Sequence, residues 1–271
     1  MKDVEGVALL QWLLPQMRLR WPGFRKVRRR VYKRIDRRLK ELGLSGVDAY
    51  RSYLEAHPAE WPVLDALCWI PISRFYRGKR VFECLEQEVL YPLAEAAVTR
   101  GEKETRWWSV GCASGEEPYT LAILWRRALA RRFPALGVRI LATDIDPQAI
   151  ERAERGCYPG SSVKDLPGEW RTEAFVASNE EFCLKAEYRA PVTFLLQDIR
   201  KTAPEGRFDL ILCRNVVFTY FDEVLQQDIL KKLMDKLIPG GAFVIGSAEH
   251  LPEGVAGLEL WSKTPGVYRI L

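Results

Sequence analysis

Long apolar runs are missing from this 271-residue chain. Its longest uncharged stretches, Gly6–Met17 and Leu237–Ala248, reach 12 residues, whereas a helix needs about 20 to cross a bilayer. No membrane-spanning helix is therefore expected. Histidine is nearly absent, with only His57 and His250, which argues against a His-rich metal site and against Ser-His-Asp chemistry. The six cysteines, at 68, 84, 112, 157, 183 and 213, contain no CxxC pair. Neither a zinc site nor a disulfide framework is expected from them, and no metal ligands are proposed. No secretory leader is expected, because Lys2, Asp3 and Glu5 precede a short apolar run and no small-x-small cleavage site follows. Reduced thiols without a targeting signal point to the cytoplasm.

What is present suits a globular protein of one to two domains. Hydrophobic residues make up 48% and charged residues 28%, enough apolar material for a sizeable core and too much for a disordered chain. The net charge of +5 is unevenly spread. Residues 17–40 hold twelve Lys/Arg against the single acid Asp36, so this segment carries +11 and the remainder −6. Such a local basic patch implies an anionic partner.

Residues 1–98 read as helical. Val27, Val31, Ile35 and Leu39 recur every four residues, an apolar stripe on an otherwise basic helix. Gly43 ends it, and Ser45 with Asp48 suggests a capping box for a helix over about 46–56. Further helices are predicted over about 59–67 and 79–98, the last kinked by Pro92. From residue 105 short apolar runs (TRWWSVGC, VRILATDI, FDLILCRN, GAFVIGS) alternate with helical patterns at 116–133, 147–156 and 222–237. That alternation predicts an α/β domain over 105–271 with a parallel sheet. A small β-excursion is expected near 174–197, and the domain break near 99–104.

The loop Ser109–Tyr119 (SVGCASGEEPY) follows a strand and opens a helix. Gly111 and Gly115 permit a tight turn and close approach of backbone to a ligand. Two consecutive acids, Glu116 and Glu117, would repel a pyrophosphate. This disfavours NAD or ATP and suits a ligand with cationic groups, such as S-adenosylmethionine, although both acids could simply complement the helix dipole. Asp144, at the end of the second strand, is placed to accept ribose hydroxyls, while Asp146 before Pro147 reads as a helix N-cap. Asp198 ends the strand VTFLLQD, where a carboxylate could accept from an adenine amino group, and Asn215 ends DLILCRN.

WSVGCASGEEPYTLA, ATDIDPQAIERAERGCY, FDLILCRNVVFTYFD and PGGAFVIGSAEH together resemble the CheR-type methyltransferases, which esterify glutamates of bacterial chemoreceptors. ISRFYRGKRVFECL and the basic segment from Arg29 resemble that family's N-terminal half, so the likeness covers about 17–271. It implies a Rossmann-like methyltransferase domain, an N-terminal helical domain and a small β-subdomain, with S-adenosylmethionine as cofactor and S-adenosylhomocysteine as product. It further implies that Arg77 and Tyr220 are active-site residues. Ser73, Gly111, Gly115, Glu117, Asp144, Ile145, Asp198, Ile199, Asn215 and Val216 are then cofactor contacts. Four departures stand out. Ser73 replaces the usual Thr, Tyr76 replaces the usual Phe, RNVVFTYFD is one residue longer than the family segment, and GSAEH replaces GHSE.

A carboxylate acceptor is already ionised near pH 7, so methyl transfer to it needs no strong general base. Arg77 could hold it with a planar fork, and Tyr220 could orient it. The expected partner is an acidic protein such as a chemoreceptor cytoplasmic domain, docked on Arg29, Arg30, Arg34 and Arg37. A small-molecule or different protein acceptor is the alternative, suggested by the inserted residue. An RNA acceptor is a third reading, without a Cys nucleophile or Pro-Pro-Tyr clamp in CRNVVF, and no stable nucleic-acid complex is expected.

Overall fold

The computed structural model describes residues 3–271; Met1 and Lys2, the first positions of the segment weighed above as a leader, lie outside the described residues. No helix among the described residues is long and apolar enough to cross a membrane. The chain forms two compact units. One comprises the described residues through Ile70 together with Thr219–Leu225, and the other Pro71–Phe218 and Gln226–Leu271.

The first unit begins with five helices: α1 (Asp3–Gln16), α2 (Trp21–Phe24), α3 (Arg28–Glu41), α4 (Val47–Ala56) and α5 (Glu60–Cys68). The stripe read from α3 is buried as Val31, Ile35 and Leu39, against a core that includes Leu9, Leu13, Tyr50, Leu54 and Leu64. The capping box is not formed: Gly46 is the N-cap of α4, with no side-chain cap bond. A polar network fixes α3 to α5. Arg38 donates to both carboxylate oxygens of Glu60 at 2.9 and 2.8 Å, and the Tyr50 hydroxyl donates to Oε1 at 3.1 Å. Thr219–Leu225 joins this unit through its main chain. Arg20 N–H donates to Tyr220 O and Asp222 N–H to Arg18 O, both at 2.8 Å, around an isolated bridge between Leu19 and Phe221.

The second unit opens with α6 (Lys79–Cys84), a π-helical turn over Leu85–Val89 and α7 (Leu90–Thr99). The expected disturbance at Pro92 takes this form. Proline has no N–H to offer the carbonyl of Glu88, and Trp261 Nε1 donates to that carbonyl at 3.2 Å instead. These helices were expected with the N-terminal domain. They pack instead in the core of the second unit, where Val81, Phe82, Leu85, Val89 and Leu93 share one cluster with Trp107 and Leu210. The division therefore falls at Ile70/Pro71. The expected break at 99–104 is only a turn, because the apolar faces of α6 and α7 are satisfied by the sheet.

The remaining elements follow in order: β1 (Glu104–Val110), α8 (Glu116–Leu124), β2 (Gly137–Asp144), α9 (Pro147–Arg155), β3 (Cys157–Pro159), α10 (Gly160–Val163), α11 (Gly168–Ala174), β4 (Phe175–Ser178), β5 (Glu181–Leu184), α12 (Ala186–Arg189), β6 (Val192–Leu196), β7 (Phe208–Leu212), α13 (Val217–Tyr220), α14 (Glu223–Asp235), β8 (Leu237–Val244), β9 (Leu258–Leu260) and β10 (Val267–Ile270). The main sheet has seven strands in the order β6-β2-β1-β7-β8-β10-β9. Strands β6, β2, β1, β7 and β8 are parallel, and β10 is antiparallel to both β8 and β9. The chain runs outward in both directions from β1, so the β1/β7 boundary is a topological switch point, where a crevice opens at the carboxyl ends of the strands.

A second sheet, β3-β5-β4, forms the β-excursion. It spans 157–184 rather than 174–197, since the 192–196 strand joins the main sheet beside β2. Cys157 and Cys183 are register partners in it and form a disulfide. This corrects the expectation that all thiols are reduced. The other four cysteines are unpaired and buried.

Candidate active site

Four parallel strand ends, those of β1, β2, β6 and β7, carry the polar residues read from the sequence. The loop after β1 is fixed to the end of β2, where Thr143 O accepts from Gly111 N–H at 2.8 Å and from Cys112 N–H at 3.0 Å. Gly111 has φ +69, and a Cβ there would stand 2.4 Å from Val216 Cγ2. Any side chain would therefore push the β7 loop away. Gly115 is the N-cap of α8, with φ 89. Tyr76, Ala113 and Asn215 also have positive φ, at 58°, 49° and 60°. Such strain in non-glycine residues costs about 1–2 kcal/mol each and collects at functional sites.

The acids are held by named partners. Glu117 Oε1 accepts from Ser109 Oγ at 2.8 Å and Oε2 from Arg214 Nη1 at 3.0 Å. Asp144 accepts from Ala113 N–H at 2.7 Å and from Asp146 N–H at 2.9 Å. Burial pushes the Asp144 carboxyl above its ordinary value of 3.8, and these two amides oppose the shift. Asp146 is the N-cap of α9 as read, accepting from Gln148 N–H at 2.9 Å. Asp198 accepts from the N–H and Nε of Arg200 at 3.0 and 2.9 Å. Ile199 is buried, while Ile145 and Val216 are half-buried.

Glu116 is buried and one of its oxygens, Oε2, has no hydrogen-bond partner. Burial raises its carboxyl above the ordinary 4.5, against the hydroxyls of Ser73 and Ser162. The loop carrying Arg77 is anchored on α8 and α10. Tyr76 N–H donates to Thr120 Oγ1 at 3.1 Å, Phe75 N–H donates to Ser162 O at 3.0 Å, and Arg77 Nη1 donates to Ile72 O at 2.6 Å.

Ser73, Arg77, Glu117, Asp144, Asp198 and Asn215 all belong to the second unit, whereas Tyr220 belongs to the first. There its ring packs on Phe24, with centroids 5.0 Å apart. Within the longer RNVVFTYFD segment, Phe218 is fully buried against Phe243. Of the four stripe arginines, Arg29, Arg30 and Arg37 are exposed. Arg34 is not part of that face: it is half-buried and donates to the carbonyls of Leu67, at 3.1 Å, and Trp69. It braces α3 against the end of α5.

Two buried groups were not read from the sequence as site residues. Arg214 lies inside the CRN motif and was passed over for its neighbour Asn215. Glu249 accepts from Asn215 N–H and Gly246 N–H, and it stands where the GHSE-like motif keeps its acid. In both cases the signal was a charged residue in the loop that follows an apolar strand, two residues after β7 for Arg214 and five after β8 for Glu249.

An open α/β sheet with acid-bearing strand ends at its switch point, and a glycine turn between them, defines a methyltransferase of the S-adenosylmethionine-binding class. The donor set fits that cofactor: Glu117 and Asp144 stand at the carboxyl ends of β1 and β2 and Glu116 keeps a buried oxygen without a partner, acceptors suited to a ligand with sulfonium, ammonium and diol groups. The family described as "CheR methyltransferase, SAM binding domain" matches residues 72–266, and the chain belongs to it. The chemotaxis protein methyltransferase of Listeria innocua serovar 6a is 35% identical over 186 residues, covering 69% of this chain and 68% of that protein. That of Salmonella typhimurium is 31% identical over 246 residues, covering 86% and 80%, and that of Escherichia coli K12 is 31% identical over 232 residues, covering 81% and 76%.

Proposed function

We propose that this S-adenosylmethionine-dependent methyltransferase esterifies glutamyl carboxylates on an acidic chemoreceptor-type protein in the cytoplasm. The observation that carries this reading is Arg77, a guanidinium on a loop anchored to the same helix that bears Glu117. S-adenosylmethionine, when bound, supplies an electrophilic methyl group on a sulfonium. Glu117 and Asp144 hold the cofactor, by its ammonium and its ribose hydroxyls, and Asn215 and Asp198 contribute from the neighbouring strand ends. Arg77 holds the acceptor carboxylate with its planar fork. The acceptor is ionised near neutral pH, so no residue removes a proton, and catalysis rests on positioning and electrostatics.

The exposed arginines of α3 favour an acidic protein acceptor. The names of the relatives, chemotaxis protein methyltransferases, favour a chemoreceptor, and nothing in the reading calls for a nucleic-acid complex. The role of Tyr220 is tested by Tyr220→Phe, which should lower kcat with S-adenosylhomocysteine affinity unchanged; an unchanged kcat removes it. The function is tested with methyl-labelled S-adenosylmethionine offered to a receptor cytoplasmic fragment, RNA and a metabolite extract. Label on the receptor fragment that alkali releases as methanol is expected. Alkali-stable label on RNA, or label confined to small molecules, overturns the reading.

A further inference from the structure

Arg214 is buried, and its three guanidinium nitrogens have different surroundings. Nη1 donates to Glu117 Oε2 at 3.0 Å, and Nη2 donates to the main-chain carbonyl of Arg77 at 2.5 Å. Nε has no hydrogen-bond partner. The guanidinium lies over the Phe82 ring, 5.0 Å from its centroid. One rigid plane therefore touches the acid assigned to the cofactor and the backbone of the arginine assigned to the acceptor, which come from segments 97 and 137 residues away in sequence.

The neighbouring loop is shaped around this group. Gly78 has φ +76, and a Cβ there would meet Arg214 Nη2 at 2.6 Å. The residue after Arg77 is thus kept bare where the guanidinium passes. Glu117 has its second oxygen bonded to Ser109 Oγ, so its carboxylate is gripped from both sides. An arginine suits this post and a lysine does not. The two contacts diverge from one planar fork, while an ammonium is a single point charge.

We infer that Arg214 is a positioning residue for methyl transfer: it fixes the Glu117 carboxylate and the Arg77 main chain in one frame and so sets where the acceptor stands relative to the cofactor. The inference rests on the methyltransferase reading of Glu117 and Arg77. It assigns Arg214 no contact with either substrate.

The test uses the full chain with Arg214→Lys and Arg214→Met. Arg214→Lys keeps a charge for Glu117 but loses the carbonyl of Arg77. Its S-adenosylhomocysteine affinity, read by calorimetry, should stay within about threefold of wild type, while kcat on the receptor fragment falls about tenfold or more. Arg214→Met should lose both affinity and kcat. Deuterium uptake by the peptide covering 74–82 should rise in both variants at a temperature well below melting. If wild type methylates no receptor fragment, the proposed acceptor is wrong, but uptake and calorimetry still judge Arg214. Wild-type kcat in Arg214→Lys, or uptake unchanged in Arg214→Met, overturns the inference, as does activity that falls only in proportion to the unfolded fraction.

Discussion

Glu249 Oε2 accepts the main-chain N–H of Asn215 at 2.8 Å and that of Gly246 at 2.7 Å, so one buried carboxylate joins the carboxyl ends of β7 and β8. Asn215 keeps its left-handed conformation, φ 60, against this support. Glu249→Ala strands two amides and should cost about 2–4 kcal/mol in urea denaturation. Glu249→Gln retains a carbonyl oxygen and should lose less than half of that. Wild-type stability in Glu249→Ala would show that the two bonds do not matter.

Cofactor affinity should depend on the charge of Asp144. Its carboxyl is raised above 3.8, chiefly by burial, and only the ionised form accepts from two hydroxyls without giving up an acceptor. The sign follows. Affinity for S-adenosylhomocysteine is full above the raised value and falls as pH drops through it, a window lying above 3.8. Burial of the charge works against folding in the same window, so stability contributed by this group is greatest below 3.8 and declines as pH rises through the folded value. Asp144→Ala should weaken binding by about 1.5–3 kcal/mol. Calorimetry across this range with a flat affinity, or an unchanged affinity in the variant, removes Asp144 from the ribose site.

The basic face of α3 should act on the acceptor alone. Arg29→Glu, Arg30→Glu and Arg37→Glu combined should raise the acceptor KM several-fold to about tenfold at low salt, less at high salt, without change in cofactor affinity. Arg34→Glu belongs to another class, since it removes donors to the Leu67 and Trp69 carbonyls. It should lower stability instead. Acceptor kinetics insensitive to salt and to the three reversals would make the stripe a solvated face.

Glu60 is an acid-sensitive point of the first unit. Hydrogen bonds from Arg38 hold its carboxyl below 4.5, with burial opposing. A lowered folded value means that the stabilisation is present above 4.5 and is lost as pH falls through the folded value. Glu60→Gln should cost about 2–3 kcal/mol, less than a fully buried pair, because Arg38 is 25% exposed. Denaturation of wild type and Glu60→Gln should converge in stability at low pH; a constant difference from neutral to acid pH would contradict this.

Much of the fold was legible because its causes are local. The four-residue recurrence of Val31, Ile35 and Leu39 shows the buried face of α3, and the Asp146-Pro147 pair shows the start of α9. Short apolar runs alternating with helical patterns show four of the five parallel strands, while the fifth, Val192–Leu196, reads locally as part of the β-excursion and is drawn into the main sheet by its pairing with β2. The misreadings occur where a local signal was overruled from a distance. The polar turn at 99–104 resembles a domain break, yet the apolar faces of α6 and α7 are buried on the sheet. Arg34 has the same spacing as its solvent-facing neighbours, but two carbonyls from the end of α5 capture it.

The sequence by itself determined the acid-rich turn at Gly111–Glu117, the strand-ending Asp144 and Asn215, and the concentration of positive charge before residue 41. Each depends on residue type and short spacing, which a linear chain displays. Only the tertiary structure decided that Arg214 meets Glu117 and the Arg77 carbonyl, that Glu249 supports Asn215, that Cys157 pairs with Cys183, and that Thr219–Leu225 joins residues 18–24. Those partners lie between 26 and 204 residues apart in sequence. Strand order and register bring them together, and no local periodicity encodes which strand ends become neighbours.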